Sequence, residues 1–196
     1  DWRDATKGKQ RGIFSFDDVA ALKIKNLKKR IYTDIESIPA WKMKECIYKG
    51  VDDYEYLYDE WKELNVGDRW GNNGWSAFFK NSFDMPARFK GKKVTLNVYF
   101  GGDSLLTLNG EPYQGLDPFR NSVLLTDCAK GDEHYDVDIE SYYVWHSNES
   151  TVKTLSCSFI GVVDPVIEEV YWDFKAVFNA LFMPVHDTGL AELIRA

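Results

Sequence analysis

Few residue types able to do chemistry stand close together in this sequence. Its three histidines are His134, His146 and His186, and none lies at the i, i+4 spacing of a helical zinc pair. Cys46, Cys128 and Cys157 are likewise too far from one another and from any histidine to read as a zinc ribbon or a redox pair. His134 does sit among Asp132, Glu133, Asp136 and Asp138. Such a cluster attracts divalent cations, but it also fits a solvated turn followed by the polar face of a strand, and that second reading is the expectation. Asp103 and Glu111 are a carboxylate pair of the kind glycoside hydrolysis uses. Nothing around them raises either pKa or draws them together, so no catalytic residue is assigned.

The aromatic residues carry more information. Trp41, Trp61, Trp70, Trp75, Tyr113 and Trp145 are candidates for the ring platforms on which the C–H face of a pyranose packs. The same residue types fill β-sandwich cores, and core or interdomain packing is the expectation for most of them. Tyr113 and Trp145, beside turns, are the two best placed as exposed platforms. Phosphate chemistry has no support. Gly101-Gly102 follows a strand but opens no helix, which makes it a turn or bulge, and no G-x-S-x-G elbow occurs.

The elements that would position these residues are mostly strands. In KVTLNVYF, Val94, Leu96, Val98 and Phe100 alternate with Thr95, Asn97 and Tyr99, the pattern of a half-buried strand. A second strand reaches Leu108 and meets Asn109-Gly110, the dipeptide that best tolerates a type I′ hairpin turn, and residues 111–116 return antiparallel. Upstream, Trp75, Ala77, Phe79 and Phe83 alternate with Ser76, Lys80 and Ser82 until Pro86. Further strands are expected at 42–49, near 61–71, at 121–125, 135–143 and 152–163, about nine in all. Between the first two of these lies an acidic, tyrosine-rich piece at 52–60. Short strands at this spacing, joined by Gly and Pro turns, imply a mainly β chain folded as a jelly-roll-like β-sandwich.

Helices are expected at both ends. Residues 1–14 should be loosely ordered. Ser15 with Asp18 makes a capping-box-like start, and Ala20, Ile24, Leu27, Ile31, Ile35 and Ile38 form a stripe that Pro39 ends. Lys23, Lys25, Lys28, Lys29 and Arg30 take the other faces, read as solvated. At the far end Asp164-Pro165 opens a helix with Val166, Val170, Phe174, Val177 and Leu181 on one face and Ile167, Tyr171 and Phe178 beside it. That stripe is wide enough to lie between two surfaces. Pro184 breaks the helix, Asp187 could cap another, and Leu190, Leu193 and Ile194 begin a new stripe. The expected organisation is an N-terminal segment and helix over 1–39, a β-sandwich over 40–163, and linker helices over 164–196 leading to a further domain.

Composition narrows the partners. The 196 residues are 44% hydrophobic and 15% aromatic, enough for a core that needs no disulfides. A formal charge of −7 lacks the basic footprint of a nucleic-acid binder. No apolar run approaches a membrane span and no signal-peptide pattern opens the chain, so no membrane partner is expected. Three cysteines, an odd number at no pairing spacing, suit a reducing compartment, and the expected location is the cytoplasm.

Several stretches carry a family resemblance. W-S-A-F-F-K from Trp75, FDMP from Phe83 and GKKVTLNVYFGGDSLLTLNGEPYQGLDPFR from Gly91 resemble the N-terminal β-domain of the α-mannosidases of glycoside hydrolase family 38, most closely its bacterial and cytosolic branch. WKELNVGDRWG is similar to the segment that precedes the sandwich there, and DPVIEEVYWDFKAVFNAL to the helix that leads into the catalytic domain. The sandwich pattern is shared with the galactose-binding-like domains of β-galactosidases and β-glucuronidases. The resemblance implies a non-catalytic domain of a retaining, zinc-dependent enzyme that removes α-mannosyl groups from oligosaccharides. Its partners would be its own catalytic domain and, in a homo-oligomer, other subunits. The family's zinc and nucleophile motifs follow the linker helix. Val185-His186-Asp187-Thr188 lacks their arrangement, so no metal, cofactor or substrate residue is carried over, and zinc is implied for the catalytic domain alone. An autonomous carbohydrate-binding module is the competing reading.

Overall fold

The computed structural model describes residues 16–142 and 152–180. Thr33–Val163 form one compact unit, and the segments on either side of it form another.

The larger unit is a jelly-roll sandwich of two antiparallel sheets. Four strands, β1 (Tyr32–Ser37), β13 (Cys157–Val163), β7 (Val94–Tyr99) and β10 (Ser122–Thr126), make the smaller sheet in that order. The larger sheet runs β3 (Asp53–Tyr56), β2 (Trp41–Gly50), β6 (Ser76–Asp84), β11 (His134–Tyr142), β8 (Asp103–Leu108), β9 (Glu111–Leu116). Its seventh strand, β4 (Lys62–Leu64), pairs with the start of β2. A small ribbon joins β5 (Arg69–Trp70) to β12 (Lys153–Thr154).

Alternation along the strands builds the core. Trp41 and Met43 from β2, Ala77 and Phe79 from β6, Val137 and Ile139 from β11 and Leu106 from β8 face Val94, Leu96 and Val98 from β7 and Ile160 from β13. Phe100 stacks on Phe79 with ring centroids 3.9 Å apart and meets Trp41 edge-on at 5.2 Å. Both core indoles are satisfied: Trp41 Nε1 donates to Ser158 Oγ (2.8 Å) across the sandwich, and Trp70 Nε1 donates to the Phe100 carbonyl (2.7 Å). An unpaired indole N–H at such depth would be costly.

The Asn109-Gly110 turn has φ of 51° and 84°, the two positive angles of a type I′ hairpin. Past it, β9 carries a bulge opposite Leu106 and Thr107, at Tyr113. β7 differs from its expected half-burial. Thr95 and Asn97 are buried as well, and Asn97 Nδ2 donates to Thr95 Oγ1 (3.1 Å), which is how its polar face tolerates the loss of water.

Two further expectations need correction. The first helix, α1 (Phe16–Arg30), does not run on to Pro39, because Tyr32–Ser37 is the edge strand β1 of the four-stranded sheet. Ile31, Ile35 and Ile38 keep a helical spacing by coincidence: Ile31 and Ile38 are buried while Ile35 is 55% exposed. β-branched Thr33 and Ile35 favour the strand. The sandwich therefore begins before residue 40. The stretch 152–163 is also not one strand, since β12 and β13 are separated at Leu155-Ser156, where Leu155 turns into the core. Among the described residues there are thirteen strands rather than nine.

In the smaller unit, Ala20, Ile24 and Leu27 form the half-buried stripe of α1, with its lysines exposed. The second helix, α2 (Pro165–Ala180), starts as expected: Asp164 Oδ1 accepts from the Val166 and Ile167 amides (3.0 and 3.1 Å). The Ser15 cap, the Pro184 break, the Asp187 cap and the stripe from Leu190 lie outside the described residues.

Candidate functional site

The outer face of the seven-stranded sheet collects polar and aromatic side chains from strands far apart in sequence. Register sets its rows. Lys42 of β2 is opposite Lys80 of β6, which is opposite Asp138 of β11. Lys44, Phe78 and Glu140 form the next row, and Cys46, Ser76 and Tyr142 the one after. Tyr48 and Cys46 pair with Tyr54 and Tyr56 of β3, so these tyrosines share the face.

At one end of this face the rings are fixed. Tyr54 lies edge-on to Phe78 (4.9 Å) and to Tyr48 (5.6 Å), and its hydroxyl donates to Glu140 Oε1 (2.7 Å). That bond, with burial and the Glu140 charge, holds the Tyr54 phenol well above its usual pKa. Tyr48, Tyr56 and Tyr142 each remain nearly half exposed. Cys46 is buried beneath them, and burial first, then the Glu140 and Glu45 charges, pushes its thiol up to about 11. Such a thiol is a poor nucleophile near neutral pH.

At the other end is an open groove of about 620 Å³ lined by Lys42, Lys80, Ser82, His134, Asp136 and Asp138, with the Asn109-Gly110 hairpin at its rim. Lys80 pairs with Asp138 (3.1 Å), and its ammonium lies 5.4 Å from the Trp61 ring centroid. His134 Nδ1 is 2.6 Å from Asp84 Oδ1 and Nε2 is 3.4 Å from Asp136 Oδ1. The Asp84 contact is the main cause of its raised pKa.

The acidic cluster read from the sequence is thus dispersed into pairs. Asp138 is held by Lys80, while the Glu133 carboxylate turns back to accept the Lys130 and Gly131 amides (2.6 and 2.8 Å). Among the described residues no group of three His, Cys, Asp or Glu side chains is placed to hold a metal ion. These residues do not fit zinc: both imidazole nitrogens of His134 already face carboxylates, and Cys46 stays protonated.

Asp103 and Glu111 are not brought together. They stand at opposite ends of the β8–β9 hairpin, five residues apart along β8 by register and so roughly 16 Å apart, beyond a glycosidase pair. Of the aromatic candidates, Trp41 and Trp70 are core, Trp75 is half-buried and Trp61 is 39% exposed. Tyr113 is 50% exposed, but its hydroxyl donates to the Leu124 carbonyl (2.8 Å), which uses it as a tie between β9 and β10. Trp145, His146 and His186 lie outside the described residues. The sequence reading missed Glu45, a buried carboxylate that accepts from Tyr58 Oη (3.1 Å) and the Gly71 amide (2.7 Å). Its signal was an acid at an apolar position of β2.

In the smaller unit, α2 exposes an aliphatic and aromatic stripe. Val166, Val170, Phe174 and Val177 are between 36% and 66% exposed, whereas Tyr171 on another side of the helix is buried. Val170 and Phe174 also border a shallow groove of about 360 Å³ with Leu27 and Arg30 of α1.

Residues 34–176 match the family model of the α-mannosidase jelly-roll domain, of the Ams1-like type, and the chain belongs to that family. Over 97 residues, 47% of this chain, it is 26% identical to alpha-mannosidase G of Dictyostelium discoideum, a stretch that is 9% of that relative's length. Among solved structures it is similar to a β-glucuronidase from Ruminococcus gnavus, with a TM-score of 0.46 and 12% identity over 68% of this chain and 30% of that one. β-Glucuronidase 2 of Bacteroides uniformis is similar at the same score and identity, over 65% of this chain and 17% of its own.

Proposed function

We propose that this chain is the non-catalytic jelly-roll domain of a retaining, zinc-dependent α-mannosidase of glycoside hydrolase family 38, and that α2 seats it on the catalytic domain. The observation that carries this reading is the exposed α2 stripe. Val166, Val170, Phe174 and Val177 follow the i, i+4, i+8, i+11 spacing of a single helix face and lie open to solvent. Burying four such side chains is worth on the order of 1.5–3 kcal/mol each. The zinc and the nucleophile belong to the catalytic domain in this reading, whose substrates are terminal α-mannosides of oligosaccharides. The cytoplasm, where the thiols of Cys46, Cys128 and Cys157 would stay reduced, is the proposed location. Subunit contacts in a homo-oligomer are a second role for the domain.

The test is to express this chain and the remainder of the mannosidase as separate polypeptides. The chain alone should not hydrolyse 4-nitrophenyl α-mannoside, should bind no zinc, and should co-purify with the remainder. Phe174→Asp with Val177→Asp should weaken that association at least tenfold. Hydrolysis by the isolated chain, or association indifferent to both aspartates, would refute the reading.

A further inference from the structure

We infer that the groove on the outer face of the seven-stranded sheet, between the Lys80–Asp138 pair and the Asn109-Gly110 hairpin, is a binding site for a neutral α-mannosyl oligosaccharide, which reaches past Lys80 to stack on the neighbouring Trp61 ring. The choice of sugar rests on the mannosidase reading; the existence of the site does not.

Shape and charge select the ligand class. At about 620 Å³ the groove falls within the ~300–1,000 Å³ of small-molecule sites. Its charges are of both signs and interleaved: Lys42 and Lys80 beside Asp136 and Asp138. A polyanion would meet the carboxylates and a polycation the lysines, and neither finds a field of one sign. A metal ion finds its candidate ligands already paired. A polyol is different, because each hydroxyl both donates and accepts and can bridge an ammonium and a carboxylate about 3 Å apart, as Lys80 and Asp138 are (3.1 Å).

Trp61 is not one of the residues lining the groove, but its ring stands next to Lys80, which is. Trp61 is 39% exposed, and the only cation near its ring among the described contacts, Lys80, lies at a loose 5.4 Å. Lysine is a flexible stem with a mobile head, so the ammonium can leave the ring for a sugar hydroxyl while a pyranose packs its C–H face on the indole. Ser82 and Asn109 add short polar groups along the groove and its rim. Tyr113, tied by its hydroxyl at a different edge, has no part in the site.

The experiment is a titration of the 196-residue chain with α-1,2-linked mannotriose, and in parallel with cellotriose, followed by tryptophan fluorescence and calorimetry. Saturable, millimolar binding of mannotriose that exceeds cellotriose binding is expected. It should weaken about tenfold or more in Trp61→Ala, the loss of a stacked ring, and severalfold in Asp138→Asn. Tyr113→Phe should leave it unchanged. Circular dichroism establishes that each variant is folded, and Asp138→Asn, at the surface, keeps the test open should Trp61→Ala fail to fold. No saturation by mannotriose, a preference for cellotriose, or full binding retained in both Trp61→Ala and Asp138→Asn would overturn the inference. Aryl-mannosidase activity of the parent enzyme is read separately, so a silent groove in an active mannosidase removes the site alone.

Discussion

Phe78 and Phe79 are consecutive in β6, yet the sheet gives them opposite tasks. Phe79 is fully buried, stacked on Phe100 at 3.9 Å and touched edge-on by Trp70 at 5.1 Å. Phe78 faces outward, half-buried under Tyr54 and beside the row of Lys44 and Glu140. The inner face is held by apolar packing closed to water. The outer face combines rings with charged partners and stays partly open. A sheet seven strands wide can thus carry its stability on one side and present a chemically mixed surface on the other. The α2 stripe is a third case, apolar side chains exposed with few charges among them, which suits a protein partner better than a sugar.

The sharpest way to break this comparison is truncation at the two phenylalanines. Phe79→Ala should cost about 3–5 kcal/mol, since the cavity would lie among residues that cannot collapse without disturbing both sheets. Phe78→Ala, partly open to solvent already, should cost about 1 kcal/mol. Urea unfolding followed by tryptophan fluorescence measures both, and equal losses would mean that the outer face is as much a core as the inner one.

Next in size is the crossing between the sheets. Gly101-Gly102 carries the chain from β7 in one sheet to β8 in the other. A Cβ at Gly102 would stand 2.8 Å from Ser141 Oγ and 2.8 Å from the Tyr142 carbonyl oxygen, a backbone atom that cannot swing aside. Gly102→Ala should therefore cost about 1–3 kcal/mol through forced displacement of β11. Gly110→Ala, at φ +84° with nothing within 4 Å of the added carbon, should cost only the ~1 kcal/mol of left-handed backbone strain. A smaller loss at Gly102 than at Gly110 would show that β11 yields freely there.

These contrasts explain what could be read from sequence. The Asn109-Gly110 hairpin, the Asp164 cap and the inward residues of β6 and β7 were legible because each rests on local chemistry: a turn conformation, a capping oxygen, an alternation of two. β1 was not, because Ile31, Ile35 and Ile38 satisfy a helical spacing and Pro39 offers a plausible stop. Only non-local pairing beside β13 makes the segment a strand. The outer-face site was hidden for the same reason. Tyr54 and Glu140 are 86 residues apart and touch only through the register of four strands. Residues 52–60 showed themselves merely as acidic and rich in tyrosine. Tyr113 looked like a platform because it follows a turn, and nothing in its surroundings in sequence announces the bond to Leu124.

The smallest expected effect sharpens the comparison at adjacent residues of β11, where His134 faces outward and Tyr135 is buried. Contact with Asp84, and secondarily Asp136, raises the His134 pKa above its ordinary 6.5, so the folded state binds this proton more tightly than the unfolded chain does. The sign follows by linkage: the stabilisation is complete below about pH 6.5 and fades as pH rises through the folded value. The pair is solvent-exposed and screened, so its contribution is small and salt-sensitive. His134→Asn should accordingly destabilise the protein slightly at pH 5 and not at pH 9, in matched denaturant titrations at low ionic strength. A deficit that grew with pH would reverse the assignment and would mean that the ring is held neutral in the fold. Tyr135 titrates far above this window, its phenol pushed up chiefly by burial, so any pH dependence near neutrality on this strand must come from its outward side.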